Sequence, residues 1–171
     1  PPAMNNNITI GMDLGDKSHI VVILDCLGNE LGTATVINTK AGVTNFFEKY
    51  KGATVAMEAG THSPWISRLL TEMGLNVLVG NPRKLRVIWD SIDKSDERDA
   101  RILARVCRID PQFLHPLRHR GSQAQADLAT IKSRDILVQS RTKLINHARG
   151  LAKAVGERFP KCSAESFAKK C

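Results

Sequence analysis

The sequence predicts an α/β fold: a mixed β-sheet covered by helices, followed by a long-helix or coiled-coil arm. Three observations support this prediction. Three short apolar runs lie close together between residues 8 and 38, which is typical of an antiparallel meander. Helix and strand patterns then alternate as far as residue 80. Residues 122–155 contain no proline, which indicates one long helix or a hairpin of two helices.

The first three strands are expected at residues 8–14, 19–24 and 30–38, where β-branched residues recur. The stretch DCLGN at 25–29 joins the second strand to the third and supplies the turn residues Gly and Asn. Connections this short favour antiparallel neighbours.

Helices and strands alternate in the next segment. We expect a helix at 41–50, a strand at 54–57, a helix at 64–73 and a strand at 75–79. Ser63 is the expected N-cap of the second of these helices, and a Gly-Asn-Pro stretch ends the last strand. Antiparallel strands followed by alternating units form a mixed sheet with flanking helices, in the order of the RNase H-like fold.

A further helix is expected to end near residue 108, and the connector DPQFLHPLRHRG follows it. In the arm, Leu137, Leu144 and Leu151 fall seven residues apart, which fits either a coiled-coil seam or packing against the sheet. The predicted plan is an added or disordered segment at 1–7, an α/β domain at 8–112, a connector at 113–121, a basic helical arm at 122–158 and a tail at 159–171 that begins a further region.

Composition excludes several classes of protein. Charged residues at 25% and hydrophobic residues at 42% are typical of a globular domain, and no apolar run is long enough to cross a membrane. The N-terminus lacks the pattern of a signal peptide. The 4 cysteines form no C-x-x-C pair, so reduced thiols in a cytoplasm are expected rather than a zinc site or disulfides. The 5 histidines lack metal-ligand spacing and are expected in turns or on the surface.

Positive charge is concentrated in the second half of the chain. Residues 1–80 carry 5 Lys and Arg against 7 Asp and Glu, whereas residues 81–171 carry 20 against 10. This asymmetry indicates a polyanionic partner such as DNA or RNA, and the alternative is a solvated basic surface. With aromatic residues at 5%, phosphate contacts are favoured over base stacking. The candidate nucleic-acid-binding residues are Lys94, Arg98, Lys132, Arg134, Arg141, Lys143 and Arg149.

Two acidic residues interrupt strands that otherwise look buried. Asp13 lies within GMDLG and Glu58 within AMEAG, each beside small residues. A buried carboxylate is costly unless it is paired or bound to a metal. Both residues are expected at one edge of the sheet, where α/β folds place their sites.

The stretch KSDERDA adds Asp96 and Asp99, which lie three residues apart and therefore share one helix face. The simpler explanation is a helix start, with Ser95 as N-cap and acids that complement the helix dipole. That explanation leaves Asp13 and Glu58 unaccounted for. Four carboxylates in one place would instead form a site for Mg²⁺ or Mn²⁺.

These motifs resemble those of a known family. In chain order, GMDLGDKSH, AMEAGTHSPW and KSDERDA, then HPLRHRG and SRTKLINHARGL, are similar to the N-terminal half of the DEDD transposases of the bacterial insertion-sequence group IS110, which includes the pilin-gene invertase Piv. The similarity spans about residues 8–156. It implies that residues 8–112 form a RuvC-like catalytic domain whose acidic metal ligands are Asp13, Glu58, Asp96 and Asp99.

The resemblance also implies Mg²⁺- or Mn²⁺-dependent DNA recombination in the bacterial cytoplasm, guided by a structured bridge RNA and carried out by a dimer or tetramer. In this family a serine of a C-terminal domain is implicated as the strand-transfer nucleophile. No serine here matches that motif, and the chain ends at Cys171. We therefore expect residues 1–171 to be a fragment that folds and binds metal and nucleic acid but does not catalyse full recombination.

Three other functions remain as alternatives. GMDLGDKS is similar to the first phosphate-binding turn of actin-like ATPases and sugar kinases, but their second phosphate loop and their adenosine loop are missing. A RuvC-type Holliday-junction nuclease would share the four acids, although the motifs after residue 110 favour the transposase. The third alternative is a non-catalytic nucleic-acid-binding module.

Overall fold

The computed structural model describes residues 7–89 and 95–171. The strands are β1 (Thr9–Asp13), β2 (Ser18–Leu24), β3 (Glu30–Ile37), β4 (Thr54–Glu58) and β5 (Asn76–Gly80). The helices are α1 (Lys40–Phe47), α2 (Ser63–Glu72), α3 (Pro82–Trp89), α4 (Asp96–Ile109), α5 (Ser122–Ala154) and α6 (Phe167–Lys170). Of the described residues, those up to His119 form one compact unit and Arg120–Cys171 form a second. The finer domain boundaries drawn from the sequence stay predictions.

The five strands form one mixed sheet in the order β3-β2-β1-β4-β5. β1 pairs with β2, and β2 with β3, in antiparallel fashion, whereas β4 lies parallel to β1 and β5 parallel to β4. Short turns join the antiparallel strands, and helical connections join the parallel ones. The predicted α/β fold, with the strand order of the RNase H-like proteins and a long helix after it, is confirmed.

Both faces of the sheet are covered, and each is covered by different helices. On one face, alternate strand residues such as Ile10, Met12 and Val55 pack with Phe47 of α1 and Leu70 of α2. The opposite face is covered by α4. Its small residues Ala100 and Ala104 pack on Val22 and Leu24, and Leu103 packs on Ala56. Strand residues that face α4 therefore alternate with residues that face α1 and α2.

Close packing of α4 on β1 requires glycine at position 11. A Cβ atom at Gly11 would overlap the carbonyl oxygen of Ala100 and would lie 2.6 Å from the backbone nitrogen of Ala104. Both atoms belong to the helix backbone, so no side-chain rotation can relieve the overlap. Ala100 and Ala104 are themselves fully buried. The helix backbone therefore lies directly on the strand.

Three details differ from the sequence-based expectations. Helix α3 was not predicted, although Pro82 occupies its first position and the side chain of Asn81 accepts a hydrogen bond from the Arg83 backbone at 3.1 Å. Ser63 was wrongly expected as an N-cap, since His62 precedes α2 and the Ser63 hydroxyl instead bonds to Gly60. His19 is fully buried in β2 rather than on the surface.

In the second unit, α5 extends over 33 residues. The leucines Leu137, Leu144 and Leu151 are exposed on this helix, and both interpretations of their seven-residue spacing stay predictions. The segment after α5 folds back onto it: Arg141 pairs with Glu165 at 3.3 Å, and Arg149 lies over the ring of Phe167. Within residues 7–89 and 95–171, no helix combines the length and apolar character needed to cross a membrane.

Replacing Gly11 by alanine is expected to lower the free energy of unfolding by about 1–3 kcal/mol, because α4 must move away from β1 to accept the methyl group. Urea denaturation followed by circular dichroism measures the change. Gly60→Ala is the matched control, because a Cβ atom there meets no atom within 4 Å. Equal losses for the two variants would contradict the close-packing argument.

Candidate functional site

Asp13 and Glu58 end two neighbouring parallel strands. Met12 pairs with Met57 in the register of β1 and β4, so the next residues of the two strands, Asp13 and Glu58, also lie side by side. Strand alternation places Asp13 on the face of Gly11 and Glu58 on the face of Ala56, which is the face covered by α4. Both side chains are half-buried. The two carboxylates expected at one sheet edge therefore lie there, under one helix.

The first turn of α4 carries the other two acids. Ser95 is its N-cap, as predicted: its hydroxyl accepts a hydrogen bond from the Arg98 backbone at 3.2 Å. Asp96 begins the helix and is exposed, whereas Asp99, one turn later, is half-buried. Because Ala100 contacts Gly11, the turn that carries Asp99 lies over the end of β1. The capping explanation and the clustering of acids are thus both true of this helix start.

The electrostatics of Asp13 record the presence of the other three acids. The pKa of the Asp13 carboxyl is raised from 3.8 to about 6, mainly by burial and also by repulsion from Asp96, Asp99 and Glu58. A hydrogen bond with the backbone of Leu14 opposes the rise but does not offset it. All four acids are therefore close enough to interact, and without a cation the site resists full ionisation.

The donor set suits a hard divalent cation. Four carboxylates supply oxygen ligands only, which is the chemistry that Mg²⁺ and Mn²⁺ prefer, and a cation would relieve the repulsion on Asp13. Across the described ranges, 7–89 and 95–171, no three His, Cys, Asp or Glu side chains are gathered closely enough to hold an ion as they stand. The four acids therefore have the oxygen ligands that the ion prefers and lie near one another. To hold an ion, their side chains must move closer together.

Glu97, the remaining acid of KSDERDA, has a separate structural role. It pairs with Arg101 one turn later on α4, and Arg101 also makes two hydrogen bonds to Glu30 at the start of β3, at 2.8 and 3.1 Å. The side chains of Arg101 and Glu30 are only 28% and 32% exposed, and the Arg101 guanidinium holds the pKa of Glu30 below its usual range. Through these ion pairs, Arg101 holds α4 against the β2–β3 hairpin. The Glu97 carboxylate, although close to the acidic site in sequence, is paired with Arg101.

A polar network lies beside the same sheet edge and was not found from the sequence. His62 approaches Asp16 at 3.6 Å, and its ring lies 6.3 Å from that of the buried His19. His119, in the connector, contacts the buried hydroxyl of Ser63 at 2.9 Å, and burial lowers the pKa of His119. The irregular spacing of these histidines in the chain contained no signal that the fold would gather them.

The candidate nucleic-acid-binding residues fall into three groups. Lys94 lies outside the described residues, and Arg98 lies in the first turn of α4. Arg141 and Arg149 are engaged within the second unit, since Arg141 pairs with Glu165 and Arg149 donates to the carbonyl of Cys162 at 3.2 Å. The third group is Lys132, Arg134 and Lys143, which are exposed on α5. Among the described residues, none of the three has a carboxylate within 4.0 Å.

Comparison with known proteins adds a family match and several relatives. A family model described as "Transposase", that of the DEDD transposases of the IS110 group, matches residues 10–156. A "Probable family 20 transposase" of Pseudomonas aeruginosa is 30% identical over 112 residues, which are 66% of this chain and 32% of that protein. The "Insertion element IS116 uncharacterized 44.8 kDa protein" of Streptomyces clavuligerus is 27% identical over 154 residues, 86% of this chain and 38% of the relative. The chain thus spans about a third of the length of these curated relatives.

Two solved structures that align with this chain are those of RuvC from Thermus thermophilus. The complex with a Holliday junction substrate aligns with a TM-score of 0.46 at 13% identity, over 61% of this chain and 96% of that one. The other RuvC structure aligns with a TM-score of 0.43 at 13% identity, over 60% and 96%.

Replacing Asp13 by asparagine is expected to stabilise the metal-free protein by roughly 1–2 kcal/mol at pH 8, which is the full pKa effect reduced for solvent screening of a half-exposed group. The folded pKa of about 6 exceeds the ordinary value of 3.8, which applies to the unfolded chain, so the folded state keeps its proton to higher pH. The penalty therefore grows as pH rises from about 4 to 6, and the gain from asparagine should vanish at pH 4. Urea denaturation in EDTA at the two pH values measures it.

The matched control for this change is Asp16→Asn, three residues away and 94% exposed. It is expected to leave the free energy of unfolding unchanged at both pH values. A gain for Asp13→Asn that does not depend on pH would show that its cause is not the carboxylate charge.

Proposed function

The chain belongs to the DEDD transposases of the IS110 group, and from this membership we propose that it is the metal-dependent DNA-cleaving part of a transposase. The observation that supports the proposal most is the electrostatic state of Asp13, whose pKa is raised to about 6 by burial and by three further carboxylates from β4 and α4. A carboxylate with a purely structural role would be expected beside a cation or a hydrogen-bond donor, not beside three other carboxylates. The substrate proposed is insertion-sequence DNA.

Each of the four acids has a part in this proposal. Asp13 and Glu58 are held by the sheet, and Asp96 and Asp99 are presented by the N-terminus of α4, where the helix dipole favours negative charge. Together they would hold Mg²⁺ or Mn²⁺, which when bound activates an attacking oxygen and stabilises the leaving oxygen in phosphodiester cleavage. Asp13 must lose its proton to act as a ligand, and a bound cation would favour the ionised carboxylate.

Nucleic-acid binding is proposed to use the basic residues after the acidic site. Residues 81–171 carry 20 Lys and Arg against 10 Asp and Glu. On α5, Lys132 and Lys143 are exposed and eleven residues apart, about three helical turns, so they share one face. Lysines so placed contact phosphates without reading sequence. Arg134 lies on a different face of the helix.

The remaining parts of the proposal concern the whole transposase. A structured guide RNA is proposed to pair with target and donor DNA, and a serine of a C-terminal domain is proposed as the nucleophile of strand transfer. Assembly as a dimer or tetramer is proposed through the exposed stripe of Leu137, Leu144 and Leu151 on α5, whose seven-residue spacing suits a helix partner.

Removal of any one of the four acids is expected to weaken divalent metal binding by at least about 10–100-fold, the loss that removal of an outer-shell partner already causes, because each would be a direct oxygen ligand. Calorimetric titration of Mn²⁺ into the wild type and into Asp13→Asn, Glu58→Gln, Asp96→Asn and Asp99→Asn measures the affinity. Cleavage of labelled DNA with Mg²⁺ or with EDTA gives the corresponding activity.

Glu97→Gln is the matched control, since it removes a carboxylate from the same helical turn but one that pairs with Arg101. It is expected to bind Mn²⁺ as the wild type does. If Glu97→Gln and Asp96→Asn weaken binding equally, the acids of α4 act only through the total charge of the helix start.

Replacing Lys132 and Lys143 together by glutamine is expected to reduce the slope of log K against log salt by about 2 for duplex DNA, because two phosphate contacts are lost. Fluorescence anisotropy between 50 and 200 mM salt, a range over which such binding weakens steeply, measures the slope. The charge-matched control is Lys40→Gln with Lys51→Gln, two exposed lysines of the α/β unit. An unchanged slope for the α5 variant would remove this face from the proposed DNA contact.

A further inference from the structure

A row of arginines follows one side of α4. Arg98, Arg101, Arg105 and Arg108 are separated by three, four and three residues, so they lie along one helical stripe. Arg101 is occupied by Glu30 and Glu97. In the described parts of the chain, neither Arg105 nor Arg108 has a carboxylate within 4.0 Å, and both are exposed. Among the described residues, the stripe therefore ends in two arginines without a close ion pair, and Arg105 is near enough to Glu30 to contribute to the lowered pKa of that carboxyl.

The Arg101 ion pairs bring the β2–β3 turn against this end of the stripe. Glu30 begins β3, so its hydrogen bonds to Arg101 hold the hairpin beside α4. Gly28, within the turn, lies next to Arg108: a Cβ atom there would be 3.8 Å from Arg108 Nε. Gly28 has a φ of +86°, which suits glycine, and its missing side chain leaves the guanidinium uncovered.

The turn itself is held in one conformation by the side chain of Asp25. Its Oδ1 accepts hydrogen bonds from the backbone of Leu27 and of Asn29, both at 2.8 Å, and its Oδ2 accepts one from the Asn29 amide at 3.0 Å. These bonds hold the pKa of Asp25 below its usual range. Its carboxylate is thus committed to the turn. The wall of the groove that faces Arg108 is preorganised.

Between α4 and this turn lies a surface groove of about 430 Å³, lined by Leu24, Leu27, Gly28, Arg105, Arg108 and Ile109. Two of its lining residues are exposed aliphatic side chains, since Leu27 is 82% and Ile109 80% exposed. Guanidinium groups bind phosphate oxygens through paired N–H donors, and exposed aliphatic side chains beside them can pack against sugars or bases. The combination fits a nucleotide better than a simple anion or an apolar peptide.

The groove is separate from the acidic site. Arg105 and Arg108 lie six and nine residues after Asp99, which is about 9–14 Å along the helix axis. Nine residues are two and a half turns, so Arg108 projects from the opposite side of α4 to Asp99. A strand held at the acids would have to cross α4 to reach the groove, so the groove is better placed for a different segment of nucleic acid.

Resting on the proposed nucleic-acid function, we propose that the groove between α4 and the β2–β3 turn binds the phosphodiester backbone of a second nucleic-acid segment, with Arg105 and Arg108 as its phosphate ligands. Two sources share this chemistry: a duplex arm of the DNA substrate and a folded RNA. The positive charge of the chain, +8 overall, favours either over a cationic or neutral partner.

The test compares the wild-type chain with the double variant Arg105→Gln/Arg108→Gln. Binding of a 30-base-pair DNA duplex and of an RNA hairpin of about equal length is measured by anisotropy across salt concentrations, and Mn²⁺ binding is measured by calorimetry. We expect at least about tenfold weaker binding of one or both nucleic acids and a salt slope lower by about 2. Mn²⁺ affinity should be unchanged.

The nucleic acid that loses affinity identifies the source, and loss for both indicates a shared backbone contact. Arg105→Lys/Arg108→Lys restores the charge but not the paired donors, so it is expected to recover the salt slope and only part of the affinity. The control Lys40→Gln/Lys51→Gln removes equal charge and should not lower the slope as far. If the wild type binds both nucleic acids and the glutamine variant binds them equally well, the groove is excluded while the proposed function stands. If the wild type binds neither nucleic acid nor Mn²⁺, both proposals fail.

Discussion

The close approach of α4 to β1 at Gly11 is the constraint on which the rest of the α/β unit depends. Because Gly11 has no side chain, the backbone of the helix at Ala100 and Ala104 rests on the strand itself. This contact determines how far the helix start lies from the end of β1, and therefore how near Asp99 comes to Asp13. A larger residue at Gly11, Ala100 or Ala104 would push α4 away from β1 and so separate Asp99 from Asp13, although neither acid is itself replaced.

The same helix carries opposite charges at its two ends. Its first turn holds Asp96 and Asp99, which the dipole favours, and its last turns hold Arg105 and Arg108. Between them, Arg101 binds Glu30 and so fixes the hairpin to the helix. One helix thus relates the proposed cation site to the proposed phosphate groove, and the distance between them follows from helix geometry rather than from loops.

The acidic site is held in an electrostatically unfavourable arrangement by packing that does not involve the acids. The residues behind them, such as Met12, Met57 and Leu103, are fully or almost fully buried, and their burial stabilises the elements that force the carboxylates together. The raised pKa of Asp13 is the consequence. Such conflict between local charge and global packing is typical of functional positions rather than of structural ones.

The sequence by itself determined the five strands, most of the helices, the mixed sheet and the cap at Ser95, because apolar periodicity and turn residues act over a few neighbouring positions. It also marked Asp13 and Glu58, since an acid at the end of an apolar strand is conspicuous. It did not reveal α3, the burial of His19 or the bond between Ser63 and His119. Only the tertiary structure decided which distant residues meet: Asp13 with the acids of α4, Arg108 with Gly28, and Arg149 with Phe167. Those contacts depend on how closely whole helices and strands pack, and a local sequence pattern does not determine packing distances.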